Sequence, residues 1–330
     1  MNPDGVPTIS VLLPTYNGAA FLRAALDSIL GQSFTDFELI VVDDGSVDAT
    51  PELLKGYRDV RLRTFRQKNQ GLARSLNFAI AAARAPLLAR QDADDIALPG
   101  RFEKQVAYLQ AHPDVAVVGT AAQIWVGDRP DGRFHRHPCD PLSLAFEMHF
   151  DNYMVHSSVM MRRSAIDEVG VYTTLESRRH EDFELWSRMS RRFKMANLPE
   201  VLQVYREHPG SMCRTEVFES RCIGLAAENI AMTVGSPNVE PVHQALAALL
   251  RGGRPAKRQI PLAHMEQILE QIAAVTAHRF DLAPAALADR LAMRMRSLRN
   301  QFHSQTLPRR IRAVPGRVVR KLGRIRRGAR

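Results

Sequence analysis

Short apolar runs alternate with segments of helical spacing over the first part of the chain. The apolar runs predict strands at 8–13, 37–42, 60–65, 86–90 and 115–119. The spacing between them predicts helices at 19–31, 48–57, 71–83 and 99–111. Strands that alternate with helices in this way are typical of an α/β fold with a mostly parallel, doubly wound sheet.

The pattern changes twice further along the chain. The next elements expected are a hairpin or loop at 123–137, a helix at 142–150, a strand at 155–161, a polar loop at 170–179, a helix opening at 180 and a strand at 201–206. An alanine- and leucine-rich region then predicts helices at 216–234, 241–251, 262–279 and 284–304. We therefore expect an α/β domain over 1–215, a helical extension over 216–308 and a basic tail over 309–330.

Acidic side chains follow the predicted strands. Asp92, Asp94 and Asp95 come directly after the strand at 86–90, and Asp43 ends the second strand. Because the carboxyl ends of parallel strands share one edge of a sheet, these side chains are expected to lie close together. Like charges at one edge are costly unless a cation lies between them, and carboxylates suit Mn²⁺ or Mg²⁺. The alternative is a solvated acidic turn that caps the next helix.

The net charge of +10 comes from the end of the chain. Residues 309–330 contain nine arginines, one lysine and no acid, so residues 1–308 are formally neutral. Four aliphatic residues recur among these cations at helical spacing: Val318, Val319, Leu322 and Ile325. Such a segment is predicted to lie on an anionic membrane surface, and the alternative is a solvated basic tail.

Other features of the composition concern the compartment. No run of eighteen apolar residues occurs, and the first residues lack the pattern of a signal peptide. The cysteines, at 139, 213 and 222, lack the spacing of a zinc site or a disulfide framework. A cytoplasmic protein is therefore expected, with the tail able to hold it on the inner face of the cell membrane.

Six segments, taken in order, resemble the family 2 glycosyltransferases, which have the GT-A fold. The segments are 11–18 (Val-Leu-Leu-Pro-Thr-Tyr-Asn-Gly), 38–46, 69–73 (Asn-Gln-Gly-Leu-Ala), 90–95 (Arg-Gln-Asp-Ala-Asp-Asp), 99–105 and 181–186 (Glu-Asp-x-x-Leu-Trp). The resemblance runs from residue 8 to about residue 212 and does not include the helical region.

The resemblance implies a role for particular residues. Asp94 would bind the divalent metal and Asp182 would be the catalytic base. The residues implied in binding the nucleotide-sugar donor are Pro14, Thr15, Asn17, Asp43, Arg74 and Asp92. Asp92 would either contact the ribose or assist the metal. Arg74 and Arg90 could both reach the diphosphate, although arginines on helices that flank a sheet are usually solvated.

Several residues keep two interpretations. His208 is either a second metal ligand or an ordinary loop histidine, and Arg206 precedes it in a segment that resembles one closing over the nucleotide. His156 and His180 either line the acceptor site or are hydrogen-bonded structural residues. Glu181 joins them as an acceptor-side candidate, or complements the helix dipole together with Asp182. The same dipole is expected to hold Asp182 ionised and to limit its basicity.

The function expected is an inverting glycosyltransferase that moves a sugar from a nucleotide-diphosphate sugar to a glycan or lipid-linked acceptor in cell-surface polysaccharide synthesis. A sugar-phosphate nucleotidyltransferase is the alternative, but it needs cations in the loop after the first strand, where residues 14–18 have none. A nucleic-acid partner for the basic tail is disfavoured because it leaves the acidic strand ends unexplained.

Overall fold

The computed structural model describes residues 5–175, 180–210, 216–253 and 260–306. Nine strands form one sheet in this part of the chain, in the order β3-β2-β1-β4-β8-β6-β9-β5, with β7 paired to β6. The strands are β1 (Ile9–Thr15), β2 (Phe37–Asp43), β3 (Leu62–Arg66), β4 (Leu87–Arg90), β5 (Ile96–Ala97), β6 (Val115–Val126), β7 (Arg129–His135), β8 (Met160–Arg162) and β9 (Lys194–Glu207).

Eleven helices accompany the sheet within the described residues. They are α1 (Leu22–Leu30), α2 (Thr50–Lys55), α3 (Leu72–Ala82), α4 (Arg101–Ala111), α5 (Pro141–Glu147), α6 (Arg163–Val169), α7 (Glu181–Arg192), α8 (Glu216–Thr233), α9 (Pro241–Leu250), α10 (Leu262–His278) and α11 (Ala288–Thr306). The helices and strands predicted over the first 111 residues are confirmed. Helix α6 was not predicted.

The first half of the sheet is parallel. Strands β3, β2, β1 and β4 pair in that order, with Thr15 opposite Asp43 and Leu12 opposite Arg90. Every residue of β1 and β2 is buried, which explains their continuous apolar character, since strands of a parallel sheet are covered on both faces. The carboxyl ends of these strands therefore lie at the same edge, as predicted.

The second half of the sheet is mixed, because β8 runs antiparallel to both β4 and β6, whereas β6 and β9 are parallel. The strand predicted at 155–161 is wrong over its first half, where His156–Ser158 form a short 3₁₀ helix. The hydroxyl of Ser158 donates to the carbonyl of Val155 at 2.9 Å, and serine hydroxyls that bond locally compete with strand pairing.

The helical extension packs directly on the α/β part. Buried Phe146 and Trp186 belong to the same apolar core as Leu225, Leu246 and Leu269 of α8, α9 and α10. The four predicted helices are confirmed, although the last begins with a 3₁₀ turn at Pro284–Leu287. No helix among the described residues is long and apolar enough to span a membrane. The division at residue 215 stays a prediction.

Candidate active site

The loops that follow β1 and β2 are joined by hydrogen bonds. Asn17 adopts a left-handed conformation (φ 51°), which asparagine tolerates better than most residues. Its backbone N–H donates to Ser46 Oγ at 2.9 Å, and its side-chain oxygen accepts from the N–H of Val47 at 2.9 Å. Ser46 in turn donates its N–H to Asp43 Oδ1 at 2.8 Å. Asn17 and Asp43 therefore lie in one loop pair, as predicted.

Asp43 and Thr15 present buried oxygen atoms at this edge. Asp43 Oδ2 faces Arg66 Nε at 3.4 Å, and neither this oxygen nor Thr15 Oγ1 has a hydrogen bond within the described ranges. Pro14 precedes Thr15 in the buried strand. A Cβ at Gly18 would lie 2.3 Å from Thr15 Oγ1, so only glycine leaves that hydroxyl in place. These oxygens can accept hydrogen bonds from a nucleotide's base or ribose.

Arg74 lies in the first turn of α3, near a loop that Asp44 organises. Asp44 accepts hydrogen bonds from the backbone N–H groups of Gln70 and Gly71, at 3.0 and 2.8 Å. Its Oδ1 also accepts from the side chain of Gln67 at 2.7 Å. Asp44 is thus a structural residue that fixes the start of α3, and the role of Arg74 in donor binding stays a prediction.

Arg90 is a buried guanidinium at the end of β4. Its side chain is 1% exposed and forms an ion pair with Asp92, and its Nε has no hydrogen-bond acceptor among the residues described. Burial raises the pKa of Asp92, with Asp94 adding to the rise and Arg90 opposing it. Arg90 is therefore part of the acidic site, and the expectation of a solvated side chain is wrong because this residue ends a central strand.

Asp94 and His208 meet at the same edge of the sheet. Asp94 Oδ2 lies 3.0 Å from His208 Nε2, and both side chains are partly exposed. His208 directly follows β9, and its ring packs on Phe21 with a centroid distance of 4.8 Å. The structure therefore brings together the two residues proposed as metal ligands, although they are 114 positions apart.

Arg206 supports the acidic turn through hydrogen bonds. Its N–H donates to Asp95 Oδ1 and its Nε donates to the carbonyl of Asp94, both at 2.8 Å. It also donates to the carbonyl of Gly127 at 2.9 Å and pairs with Asp128, so it ties the turn to the β6–β7 hairpin. Arg206 is 3% exposed, and in this structure its contacts stabilise the acidic turn. Its part in closure stays a prediction.

Asp95 is the buried member of the acidic turn. It accepts hydrogen bonds from the hydroxyl of Ser157 and from the backbone of Arg206. Burial raises its pKa well above the ordinary value, and the charges of Asp92 and Asp94 raise it further. The sequence contains no local signal for this role of Ser157, because the 3₁₀ turn that carries it was predicted as a strand.

Asp182 lies in the first turn of α7 and accepts two hydrogen bonds. The N–H of Phe183 donates to Oδ1, and Asn152 Nδ2 donates to Oδ2, both at 2.7 Å. Burial nevertheless raises the pKa of Asp182, and that of Glu181 beside it. Desolvation is the largest cause and outweighs the backbone hydrogen bonds that lower this pKa, contrary to the expectation that the helix terminus limits the basicity of Asp182.

The two histidines proposed for the acceptor side lie close to this helix. His156 Nε2 is 2.9 Å from the hydroxyl of Tyr172, and burial, with the nearby Arg90, lowers its pKa well below the ordinary value. His180 precedes α7 with φ 141°, a conformation that is strained for a residue with a side chain. Whether either contacts the acceptor stays a prediction.

A buried polar network supports the end of β4. Arg101 donates to the side chains of Gln91 and Gln203 at 2.7 and 2.9 Å, and to the carbonyl of Arg90 at 2.7 Å. Burial and the charge of Arg90 lower the pKa of Arg101 to about 9. The resemblance included Arg101 but gave it no role. Its contacts are those of a support for the strand that carries the acidic turn.

The donor atoms of Asp94 and His208 suit a divalent cation. A carboxylate oxygen and an imidazole nitrogen are both ligands that Mn²⁺ accepts. Within the described parts of the chain, no group of three or more His, Cys, Asp or Glu side chains could hold a metal ion. The two side chains fit a cation whose other positions are filled by a diphosphate and water, which is the usual arrangement for metals that bind nucleotides.

Known proteins resemble this chain in sequence. Residues 10–170 match the family model described as glycosyl transferase family 2. EpsE of Bacillus subtilis (strain 168), named as a glycosyltransferase, is 36% identical over 231 residues, which cover 68% of this chain and 79% of EpsE. The chain belongs to glycosyl transferase family 2. This family 2 enzyme is also 34% identical over 209 residues to the amylovoran biosynthesis glycosyltransferase AmsE of Erwinia amylovora, over 60% of this chain and 75% of AmsE.

Solved structures share the fold of this family 2 enzyme. TarS 1–349 of S. aureus, in complex with UDP-GlcNAc, superposes with a TM-score of 0.57 at 18% identity, over 89% of each chain. The mannosyltransferase PcManGT from Pyrobaculum calidifontis, in complex with GDP-Man and Mn²⁺, gives 0.54 at 19% identity, over 91% of this chain and 83% of that chain. The GT-A fold expected from the sequence is confirmed.

Proposed function

We propose that the enzyme transfers a sugar with inversion from a nucleotide-diphosphate sugar to a hydroxyl of a glycan or lipid-linked acceptor in cell-surface polysaccharide synthesis. One observation carries the proposal. Asp94 and His208, which are 114 positions apart in the sequence, meet at 3.0 Å at the same sheet edge where Asn17 and Asp43 are joined through Ser46. Carboxylate and imidazole groups at the carboxyl ends of these strands are suited to a metal-bound nucleotide-sugar donor.

The donor end of the site is assigned to the sheet edge. Asp43 and Thr15 would accept hydrogen bonds from the base or ribose, and Asp94 with His208 would hold Mn²⁺ or Mg²⁺. When bound, a divalent cation stabilises the negative charge that develops on the nucleoside diphosphate as it leaves. The nucleotide-sugar and Mn²⁺ complexes of the two structural relatives support this assignment.

Asp182 is proposed as the general base. The acceptor oxygen forms a bond to the anomeric carbon while the bond from that carbon to the diphosphate oxygen breaks, and the hydroxyl proton passes to Asp182. One displacement of this kind inverts the anomeric configuration. Because burial raises the pKa of Asp182, its carboxylate is a stronger base than an exposed aspartate.

A nucleotidyltransferase is less well supported. Such an enzyme needs cations to hold a triphosphate in the loop after the first strand. In this chain the backbone N–H groups of Asn17, Gly18 and Ala19 are already donated to Ser46, Thr50 and Asp48, respectively. Residues 14–18 include no positive side chain, and these three N–H groups are already engaged by other side chains of the protein.

The proposal is tested with a thermal-shift panel of nucleotide sugars in Mn²⁺. A donor that binds only the folded protein raises its Tm, and one nucleotide series is expected to do so. Asp94→Asn should abolish the metal-dependent shift, whereas the matched control Asp114→Asn, at an exposed ion pair with Lys194, should retain it. Full transfer activity in EDTA would contradict the metal assignment.

We further propose that the basic tail holds the enzyme on anionic membranes, where lipid-linked acceptors are presented. The tail lies outside the described residues, so its sequence alone supports this step. Each cation near such a surface contributes about 1 kcal/mol. Truncation after Leu307 should abolish sedimentation with anionic vesicles and preserve the donor-induced thermal shift, and equal vesicle binding by both chains would exclude the tail as an anchor.

A further inference from the structure

A short turn between α5 and the 3₁₀ helix, residues 151–153, contacts the proposed base. Asn152 Nδ2 donates to Asp182 Oδ2 at 2.7 Å. The orientation of the Asn152 amide is set by its other end, since Oδ1 accepts the N–H of Met154 at 3.1 Å. The nitrogen must therefore face Asp182, and the contact is a donation to the carboxylate.

The contact defines where the carboxylate of Asp182 lies. One oxygen is held by the N–H of the next residue, Phe183, which moves with the helix. The other oxygen is held by Asn152, which belongs to a different segment. With both oxygens engaged, the side chain is held in the rotamer that makes both contacts, and each oxygen keeps a further lone pair that can accept a proton.

The helical extension holds this turn from two sides. Arg251, directly after α9, forms an ion pair with Asp151 and donates its Nε to Glu219 at 3.1 Å. Arg251 is 8% exposed and Asp151 is 39% exposed, so salt screens this pair only in part. The first residue of the turn is thereby fixed to α8 and α9.

The last residue of the turn is held by α11. Arg294 donates to the hydroxyl of Tyr153 and, from Nε, to Glu147 Oε2 at 2.7 Å. Glu147 and Arg294 are 4% and 13% exposed, which makes this a buried connection between α5, α11 and the turn. Asn152 thus lies between two residues, Asp151 and Tyr153, that side chains of the helical extension contact.

We propose that Asn152 is a positioning residue for Asp182, and that the helical extension acts on catalysis by holding the 151–153 turn through Arg251 and Arg294. This inference rests on the proposed role of Asp182 as the base. It gives the extension, which lies outside the segments that resemble the family, a function in the transfer step.

The first test compares two asparagine side chains that donate to α7, half-buried Asn152 and buried Asn229. Asn152→Ala should lower kcat by about 10- to 100-fold, because misplacing a catalytic group by about 1 Å is known to cost that much, while the donor Kd stays unchanged. The matched control is Asn229→Ala, since Asn229 donates to Ser187 of α7 at 2.8 Å, and Ser187 lies five residues after Asp182. Equal kcat for the two variants would overturn the inference.

The second test concerns the contact between Arg294 of α11 and Tyr153. Tyr153→Phe removes only the hydroxyl that Arg294 reaches, and Arg294→Lys keeps the charge beside Glu147. Each should lower kcat by about 3- to 10-fold in the wild type, and by less than about twofold in the Asn152→Ala background, because both act through Asn152. The control is Arg299→Lys, because Arg299 lies on α11 as Arg294 does but pairs with Glu266 of α10, away from the 151–153 turn.

The outcomes separate this inference from the function on which it rests. If Asp182→Asn keeps wild-type kcat, the base assignment and the inference both fail. If Asp182→Asn is inactive but Asn152→Ala is not impaired, only the inference fails. If the reductions in kcat caused by Arg294→Lys and Asn152→Ala multiply in the double variant, the two residues act independently, and a common route through Asn152 is excluded.

Discussion

Carboxylates at opposite edges of one sheet behave in opposite ways: buried Glu38 at one edge, and a group of buried and half-buried acids at the other. At the amino-terminal edge, Glu38 accepts hydrogen bonds from Ser10 Oγ and Arg63 Nη1, both at 2.6 Å, and from the N–H of Arg84 at 2.8 Å. Burial alone raises the pKa of Glu38, but these donors outweigh it and the pKa is lowered. Glu38 is thus a satisfied anion that joins three strands.

At the carboxyl edge and the adjoining start of α7, four acids lie near one another with raised pKa values. Burial is the largest cause for each, and neighbouring carboxylates add to it. The group is Asp92, Asp95, Glu181 and Asp182. The comparison shows that burial does not decide the pKa of a carboxylate; the balance of donors and like charges around it does. Ionising the four acids at the carboxyl edge therefore costs free energy in the folded protein, and such a cost is typical of functional sites.

The largest expected effect is on turnover at the carboxyl edge. Asp182→Asn should lower kcat by about 10²-fold or more, the usual scale for a lost general base, with little change in donor Kd. Steady-state kinetics and a donor titration measure the two quantities. Wild-type turnover with the true acceptor would contradict the assignment, and Glu38→Gln should keep the kcat of the folded enzyme.

An intermediate effect is expected on stability at the amino edge. Glu38→Gln should lower the free energy of unfolding by about 1–3 kcal/mol, because charge-assisted hydrogen bonds are lost. Since the folded pKa of Glu38 is lowered, its contribution is present above the unfolded value of 4.5 and is lost as the pH falls through the folded pKa. Urea denaturation should show that the variant is less stable than the wild type at pH 7 and that this difference disappears in acid. Exposed Glu52→Gln is the control.

The smallest effect should have the opposite sign. Glu181→Gln makes the same chemical change where the folded pKa is raised, so the ionised side chain destabilises the fold at neutral pH. In its protonated form Glu181 stabilises the fold; this contribution is fully present below the unfolded pKa of 4.5 and is lost as the pH rises through the folded pKa. Glu181→Gln should therefore raise the free energy of unfolding at pH 7, and the gain should disappear in acid. A less stable variant at pH 7 would refute the comparison.

Local pattern was sufficient for most of the fold. The alternation of apolar strands and amphipathic helices predicted the parallel half of the sheet, and hence the edge at which Asn17, Asp43 and Asp94 meet. It failed at 155–161, where Ser157 and Ser158 bond to Asp95 and to the local backbone. Apolar periodicity cannot register such hydroxyl contacts.

Charge states and supporting contacts were decided by the tertiary structure. The helix position of Asp182 predicted an ionised acid of limited basicity, but its pKa depends on burial contributed by distant segments. Asn152 lies 30 residues from Asp182, and Tyr153 lies 141 residues from Arg294. Sequence determined which backbone elements form, because their periodicity is local. Only the packed chain determined which side chains share a low-dielectric site, because desolvation and hydrogen bonding depend on every element that closes around it.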